Sequence, residues 1–416
     1  MGEITPPPAS RPPAGVQASQ LTGPTMFSGI KVFVTDGNQR KALAATRSLG
    51  RKGVRVVVGE ETRAPVAAFS RYCSESVAYP SAAGRPAGFE EFLRLFLRTR
   101  LLDAFFPMDD AVCDVVTSAL ASGWNPGVPV ALAPPSAYMA ARDKFQTYEI
   151  AAKRGLRHPA TELPDSSSSA LRAARRLGFP CVLRPRKTSG GRGLRYIRTE
   201  RDFVAAYESV QREHGPPLVQ EFIPPGDRFD VCMLFDRDED LRASFVQREL
   251  RNYPLDRGPS TVQESTVRPE LVESATRLLE KTGWRSVAEV EYMVDRRDSR
   301  PVLMEVNPRF WASLACAVAA GVDFPALALL EALGEAVPAT HAYVPGVRVK
   351  WLLPGGILHA AACLCAGRLP RPLPPAPGGE RKDIFEPDDP WPVAGVLSAI
   401  ASHCTDREMW RRVVRR

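Results

Sequence analysis

The segment from Ala288 to Phe310 constrains the fold of this chain more than any other part of the sequence. It reads AEVEYMVDRRDSRPVLMEVNPRF, two apolar stretches on either side of a charged, turn-forming cluster, and this pattern predicts two antiparallel strands. Glu291 and Glu305 are equidistant from Asp298 at the middle of the turn. A symmetric register therefore sets the two glutamates opposite each other, where like charges are destabilising unless a cation lies between them.

Asn307 adds a neutral oxygen to this pair of carboxylates. It follows Glu305 by two residues, so both side chains point to the same face of the strand. A set of ligands made only of oxygen suits Mg²⁺ bound together with substrate phosphates. A hairpin edge that carries solvated glutamates is the alternative interpretation.

Residues 304–325, MEVNPRFWASLACAVAAGVDFP, closely resemble the metal-binding end of the ATP-grasp ligases. The resemblance is strongest to the carboxylate-amine ligase branch, which includes carbamoyl phosphate synthase-like domains. It implies that Glu291, Glu305 and Asn307 hold the two Mg²⁺ ions of MgATP, which Mn²⁺ could replace. It also implies that Arg309 faces the transferred phosphate or the substrate carboxylate.

A glycine-rich loop upstream of the hairpin is a candidate phosphate-binding loop. The apolar segment CVLRP runs into KTSGGRG before the next apolar segment, and glycines let backbone amides approach phosphate oxygens without interference from Cβ atoms. In the ATP-grasp ligases that the chain resembles, a lysine before the first helix and a basic residue on the strand also hold the phosphates. Lys144 and Arg184 occupy these two places, and most members have lysine where this chain has Arg184. The predicted phosphate-binding residues are Lys144, Arg184, Lys187, Ser189, Gly190, Gly191 and Gly193.

Residues 219–223, VQEFI, resemble the strand against which ATP-grasp proteins place adenine. The resemblance implies that Glu221 accepts a hydrogen bond from the adenine amine, that the backbone at Phe222 and Ile223 lies along the base, and that Asp227 meets the ribose hydroxyls. Glu221 could instead be a surface strand residue and Asp227 a turn residue.

Two further arginines are candidates for substrate binding. Arg248 and Arg251 lie in a stretch that resembles the place where carboxylate-amine ligases put basic residues near the substrate. An arginine can bind a carboxylate or an acyl phosphate with two parallel hydrogen bonds. A solvated strand face explains the same pattern equally well.

Breaks in composition predict an α/β fold, and the resemblance implies that it is of the α+β ATP-grasp type. The apolar segment KVFVT, a helix and a second apolar segment form a βαβ opening, which implies a parallel sheet. Asp109 and Asp110 follow a further predicted strand, at the edge where such sheets bind ligands, although capping of the next helix is an equal alternative. The predicted units are a disordered Pro-rich tail (1–26), a parallel-sheet pre-ATP-grasp domain (27–135), a two-lobed ATP-grasp domain (136–345, lobes 136–218 and 219–345) and a C-terminal capping segment (346–416).

Composition narrows the class of protein. Eight cysteines show no metal-binding spacing, which favours reduced thiols in a cytoplasmic chain. A net charge of +8 is spread along the chain, with a dense arginine cluster only in the last residues, so nucleic-acid binding is not predicted. No signal peptide is evident, and the apolar stretch 314–333 is interrupted by Asp323, Pro325 and Glu331, which favours a pair of packing helices over a membrane span.

Together these features predict an ATP-dependent ligase that joins a small, amino-acid-like carboxylate to an amine through an acyl phosphate. A relative that activates bicarbonate is one alternative, but the chain contains no second copy of the Glu-x-Asn-Pro-Arg motif. A catalytically silent ATP-binding sensor is another, and the intact set Glu291, Glu305 and Asn307 argues against it. The sequence leaves the oligomeric state open, and a homodimer is compatible with it.

Overall fold

The computed structural model describes residues 26–255 and 258–405, and side chains up to residue 400. The Pro-rich tail up to residue 25, the side chain of Cys404 and the terminal arginine cluster lie outside the described residues. Mixed α/β architecture is confirmed, and the described strands form three sheets.

The N-terminal domain is built on a four-stranded parallel sheet with the strand order β3-β2-β1-β4. The apolar strands predicted at the start of the chain are its two central ones, and they are almost completely buried. The elements are β1 (Lys31–Val34), α1 (Arg40–Gly50), β2 (Arg55–Glu60), β3 (Cys73–Ala78), α2 (Pro86–Thr99), β4 (Ala104–Phe106) and α3 (Asp110–Ala121), with a short 3₁₀ helix at Val66–Phe69.

A small antiparallel sheet with the order β5-β8-β6-β7 follows. Because β8 pairs with β6, residues up to Glu221 belong to this lobe, whereas the predicted boundary at 218/219 runs through the strand. The elements are α4 (Pro135–Arg142), α5 (Lys144–Lys153), β5 (Thr161–Glu162), α6 (Ser167–Leu177), β6 (Cys181–Arg184), β7 (Arg195–Ile197), a 3₁₀ turn (Glu200–Asp202), α7 (Phe203–His214) and β8 (Leu218–Glu221).

The third sheet has seven strands in the order β13-β12-β9-β10-β11-β14-β15. Its last two strands come from the predicted C-terminal capping segment; β14 lies within residues 347–352, which resemble a closing strand in the sequence. The elements are β9 (Pro225–Phe235), β10 (Leu241–Asn252), β11 (Ser260–Ser265), α8 (Pro269–Leu279), β12 (Ser286–Asp295), β13 (Pro301–Asn307), α9 (Leu314–Ala320), α10 (Phe324–Leu333), β14 (Arg348–Lys350), a π turn (Leu352–Gly356), α11 (Ile357–Cys365), β15 (Glu380–Lys382) and α12 (Pro392–Thr405).

Helices α9 and α10 join the N-terminal domain to the large sheet. Val34 and Leu43 of the first domain share one buried apolar core with Leu314 and Leu327 of these helices. Within the described residues no single helix is long and apolar enough to cross a membrane; α9 and α10 together reach that length but are bent by 97°. Their burial in the core fits the predicted pair of packing helices.

Candidate active site

A cleft of about 250 Å³ lies where the N-terminal domain, the small sheet and the large sheet meet. The hairpin β12–β13 forms its floor. Glu291 pairs directly with Glu305 across the hairpin, and Glu289 pairs with Asn307. The predicted pairing of Glu291 with Glu305 is therefore confirmed, although the register shifts by one residue between Glu291 and Tyr292 and is not symmetric closer to the turn. The polar side chains of the hairpin line one cleft.

Two cations of the small lobe neutralise Glu305. Arg184 at the end of β6 donates to Glu305 Oε2, and Lys144 Nζ at the start of α5 lies 3.2 Å from the same oxygen. Burial acts to raise the pKa of Glu305, but Lys144 and Arg184 outweigh it and lower the pKa to about 2. The carboxylate is therefore ionised at neutral pH.

The remaining carboxylates of the cleft are buried close together. Burial, followed by repulsion from Glu305, Glu289 and Glu249, raises the pKa of Glu291 well above its usual range. The side-chain amide of Asn307 lies between two of them and donates to Glu289 Oε2 at 3.0 Å and to Glu291 Oε1 at 2.8 Å. A divalent cation among these groups would relieve the repulsion, so the donor set fits the chemistry of Mg²⁺.

The ligand geometry is less complete than predicted. In the described part of the chain, no three His, Cys, Asp or Glu side chains converge on one metal position. Asn307 turns its oxygen toward Arg309, at 3.3 Å from Nη2, and rotation of the amide by 180° would exchange oxygen and nitrogen. Mg²⁺ is commonly held by one or two carboxylates together with substrate phosphates, so Glu291 and Glu305 would be enough to hold the ion, with the Asn307 oxygen as a further donor.

Arg309 faces the N-terminal domain. Its Nε donates to Asp110 at the start of α3, and this contact outweighs burial and holds the pKa of Asp110 well below its usual range. The neighbouring Asp109 occupies the N-cap position but makes no side-chain capping bond; it accepts a hydrogen bond from Lys41 Nζ at 2.8 Å. Both aspartates lie just beyond the carboxyl end of β4, Asp109 lines the cleft, and Asp109 does not cap the helix.

The glycine-rich loop closes over the cleft. Ser189 donates to Asp110, and Lys144 donates to the carbonyl of Thr188. Gly190, Gly191 and Gly193 have φ angles of 62°, 70° and 73°, which favour glycine. Ligand pockets usually measure about 300–1,000 Å³, so the smaller cleft corresponds to a closed loop. Gly190 and Gly191 line the cleft, whereas Lys187 and Gly193 do not line it. Lys187 is exposed.

The predicted adenine strand borders the apolar end of the cleft without lining it. Glu221 accepts from Arg297 Nη2 at 2.6 Å and from the Ala160 amide at 3.3 Å. Phe222 packs edge-on against Tyr196, with ring centroids 5.7 Å apart, and Ile223 packs with Met293, Val302 and Met304. Three of these neighbours line the cleft: Tyr196, Met293 and Met304.

Arg248, Arg251 and Asp227 lie away from the cleft, contrary to the prediction. Arg248 and Asp227 form an exposed ion pair at 2.8 Å, and Arg251 lines a different cavity. Alternation along β10 turns Glu249 toward the cleft and its neighbour Arg248 away, and the strand is irregular between Glu249 and Arg251.

Several cleft residues were not predicted. Glu289 precedes Glu291 by two residues on the same strand, a spacing that could have identified it. Asp230 and Ser313 both accept a hydrogen bond from Gln247, which is fully buried behind the cleft wall, and no local pattern reveals this contact between three segments. The main unpredicted residues that line the cleft are Arg40, Lys41, Arg228, Asp230, Glu249, Glu289 and Ser313.

Comparison with known proteins supports the resemblance noted in the sequence. Residues 141–340 match the family model of the carbamoyl-phosphate synthase L chain, ATP binding domain. Over 177 residues the chain is 27% identical to an acetyl-CoA carboxylase of Saccharomyces cerevisiae, covering 41% of this chain and 8% of that protein. Over 218 residues it is 27% identical to the carbamoyl phosphate synthase large chain of Gemmatimonas aurantiaca, covering 50% of this chain and 20% of that protein. The chain thus spans a small part of these curated relatives.

Solved structures share the fold at low sequence identity. The biotin carboxylase of Campylobacter jejuni superposes with a TM-score of 0.65 and 16% identity, covering 77% of this chain and 74% of that one. The biotin carboxylase domain of the Hydrogenobacter thermophilus 2-oxoglutarate carboxylase gives 0.63 and 16%, covering 75% and 71%. The N5-carboxyaminoimidazole synthetase of Staphylococcus aureus gives 0.60 and 14%, covering 77% and 81%. The predicted fold is confirmed.

Proposed function

We propose that this chain, whose residues 141–340 are an ATP-grasp domain of the carbamoyl-phosphate synthase type, is an ATP-dependent ligase that activates a carboxylate. One observation carries the proposal: the facing pair Glu291 and Glu305 lies between the cations of the small lobe, Arg184 and Lys144, and Arg309 beside the N-terminal domain. A site of alternating charge suits a reaction between an anionic nucleotide and an anionic acid.

The residues divide into two groups by role. Arg184, Lys144 and the backbone amides of the glycine loop would bind the phosphates of ATP. Mg²⁺, when bound by Glu291, Glu305 and the Asn307 oxygen, would neutralise the β and γ phosphates. Arg309 would orient the substrate carboxylate, and the closed loop would exclude water from the activated acid.

The proposed reaction has two steps. An oxygen of the substrate carboxylate attacks the γ phosphorus, and the bond to the bridging oxygen breaks, which gives an acyl phosphate and ADP. The amine nitrogen then attacks the acyl carbon, the carbon–oxygen bond to phosphate breaks, and the amine loses a proton. The products are an amide, ADP and phosphate, and the chain needs no nucleophilic side chain.

An amino-acid-like acid is the substrate class that the cleft supports best. Beyond the proposed metal ligands, the cleft wall carries Asp230, Glu249 and Glu289 as well as Lys41 and Arg228. Groups of both signs suit a substrate that carries both an ammonium and a carboxylate.

Activation of bicarbonate is the second candidate. It is favoured by the matched carboxylases, among them the 2-oxoglutarate carboxylase domain, a dimer solved with MgADP and bicarbonate, and by the small volume of the cleft. That matched dimer also supports a homodimer for this chain. The seven described cysteines are all unpaired thiols, which supports a cytoplasmic location.

Release of ADP measured against three sets of substrates tests the proposal. Purified protein with MgATP would receive bicarbonate alone, pooled amino acids and small carboxylic acids, or the same acids paired with pooled amines. We expect ADP release that requires an organic acid, and a product whose mass is that of acid plus amine minus water. ADP release that requires only bicarbonate would establish the second candidate, and release with no acid would exclude both.

A further inference from the structure

A second cavity, of about 630 Å³, lies at the end of the large sheet, where residues of β11, β14 and β15 line it. Its volume falls within the usual range for small-molecule pockets. Most of its wall is apolar, contributed by the end of the large sheet, helix α11 and the C-terminal segment. The apolar wall residues include Val262, Trp351, Leu352, Ile357, Ile384 and Phe385.

The two cavities share no lining residue. Along β11, Ser260 lines the active-site cleft, and the next two residues, Thr261 and Val262, line the second cavity. Arg40 links the walls of the two cavities: it donates to Asp383 Oδ2 at 2.9 Å and to the Ser260 carbonyl at 3.1 Å. Its guanidinium carbon lies 4.1 Å from the centroid of the Trp351 ring.

Two buried polar atoms of this wall have no partner within the described residues. Thr261 is 1% exposed and its Oγ1 makes no hydrogen bond; Asp383 is 6% exposed, and its second oxygen, Oδ1, makes none. Buried polar atoms are nearly always hydrogen-bonded in folded proteins. A ligand with an N–H or O–H group would supply the missing donor.

Cations also border the cavity. Lys350 is paired with Glu380 at 2.6 Å, but no carboxylate in the described ranges pairs with Arg251 or Lys382. Arg251 donates only to the carbonyl of Arg371, so its charge is available to an anionic group. Arg251 was predicted from the sequence to bind the substrate, but it lines this cavity and not the cleft.

We propose that this cavity binds a small amphiphilic carboxylate that has an apolar body and a hydrogen-bond donor. The apolar body lies against Trp351 and Ile357, the donor meets Asp383 and Thr261, and the carboxylate pairs with Arg251. The site is independent of the proposed ligase reaction, because it shares no residue with the cleft.

N-octanoylglycine, which combines an apolar chain, an amide N–H and a carboxylate, is a suitable probe, and its methyl ester is the uncharged control. Isothermal titration calorimetry on the full-length protein should show saturable binding of the acid with one site per chain. Because Arg251 supplies a charge-assisted hydrogen bond, Arg251→Gln should weaken the acid about tenfold and leave the weaker binding of the ester unchanged.

A matched pair of variants on α11 locates the site. Ile357 and Leu364 are both 60% exposed on the same helix, but only Ile357 lines the cavity. Ile357→Glu should abolish binding of the acid, and Leu364→Glu should retain it, with circular dichroism confirming that both variants fold. Absence of saturable binding, equal affinity for acid and ester, or equal loss in both variants would overturn the proposal.

Discussion

Glu305 determines the charge balance of the cleft at the scale of single residues. It accepts hydrogen bonds from two buried cations, Arg184 and Lys144, and its ionised form offsets both of them. Its partner Glu291 has no such cation of its own, which explains why its pKa is displaced in the opposite direction.

Removal of the Glu305 charge should therefore abolish most activity. We expect Glu305→Gln to lower the rate of ADP release at saturating MgATP by about a hundredfold or more, on the order of 3 kcal/mol of transition-state stabilisation. Glu264 is also paired with an arginine, Arg348, on the large sheet but lies outside the cleft. Glu264→Gln should keep the rate, and near-normal turnover of Glu305→Gln would remove Glu305 from the site.

Glu331 on α10 provides a pH test at the residue scale. Burial raises its pKa from 4.5 to about 7, against the opposing effect of Arg285 and Arg237. A carboxylate with a raised pKa in the folded state binds more protons there than in the unfolded state, so stability decreases as pH rises from about 4.5 to 7.

We expect Glu331→Gln, which stays neutral, to gain stability relative to wild type across this interval, by up to about 3 kcal/mol at pH 8. Denaturant unfolding of both proteins at pH 5 and pH 8 measures the difference. A constant difference at the two pH values would show that Glu331 titrates normally in the folded protein.

Individual residues also show what the sequence could predict. The facing of Glu291 and Glu305 followed from their equal distance to the turn, because a hairpin is a local structure. The positions of Arg248 and Arg251 depended on the face presented by β10 and on its irregular register, which arises from pairing with distant strands. The role of Asp110, at a ligand-binding edge or as a helix cap, could not be decided from the sequence for the same reason. Arg309, which donates to Asp110, is 199 residues away.

At the scale of elements, the glycine loop is the part that must move. Its contacts with the rest of the cleft are few, from Ser189 to Asp110 and from Lys144 to Thr188. The cleft beneath it is small, and we propose that these contacts open when a nucleotide enters.

We expect Gly190→Ala to weaken MgATP binding about tenfold. An added Cβ at Gly190 meets nothing within 4 Å, but its φ of 62° costs a non-glycine residue roughly 1–2 kcal/mol. Gly123 after α3 has a φ of 86° and equally open surroundings, so Gly123→Ala is the matched control. Equal MgATP affinity of the two variants, measured by calorimetry, would show that the loop conformation does not contribute to binding.

The assignment of β8 shows the limit of sequence reasoning about elements. The strand itself was predicted, but its partners β5 and β6 place it in the small lobe. Strand partners are chosen by tertiary packing, and the pattern VQEFI is compatible with either sheet.

At the scale of the whole molecule, hydrogen bonds from the N-terminal domain to the C-terminal segment connect that domain to the large sheet. Arg47 on α1 is 2% exposed and donates to Asp389 Oδ2 at 2.8 Å and to the carbonyl oxygens of Asp383, Ile384 and Asp389. This contact could not be predicted from the sequence, because it joins residues separated by more than 330 positions.

Breaking this contact should destabilise the whole chain. We expect Arg47→Met to lower the free energy of unfolding by about 3–5 kcal/mol, because it leaves Asp389 buried without its partner. Arg175→Met, which removes an exposed pair with Glu200, should leave stability unchanged within error. Denaturant unfolding measures both, and equal stability of the two variants would show that the C-terminal segment does not hold the domains together.

Trapping of the activated acid tests the ligase account most directly. Hydroxylamine is a small, strong nucleophile that can replace the amine, so the protein incubated with MgATP, pooled carboxylic acids and hydroxylamine should form a hydroxamate, detected by mass spectrometry. Omission of MgATP or the Glu305→Gln substitution should abolish it. Protein that binds MgATP yet forms no hydroxamate with any acid would contradict the account, because the proposed release of ADP on attack at the γ phosphorus produces an acyl phosphate.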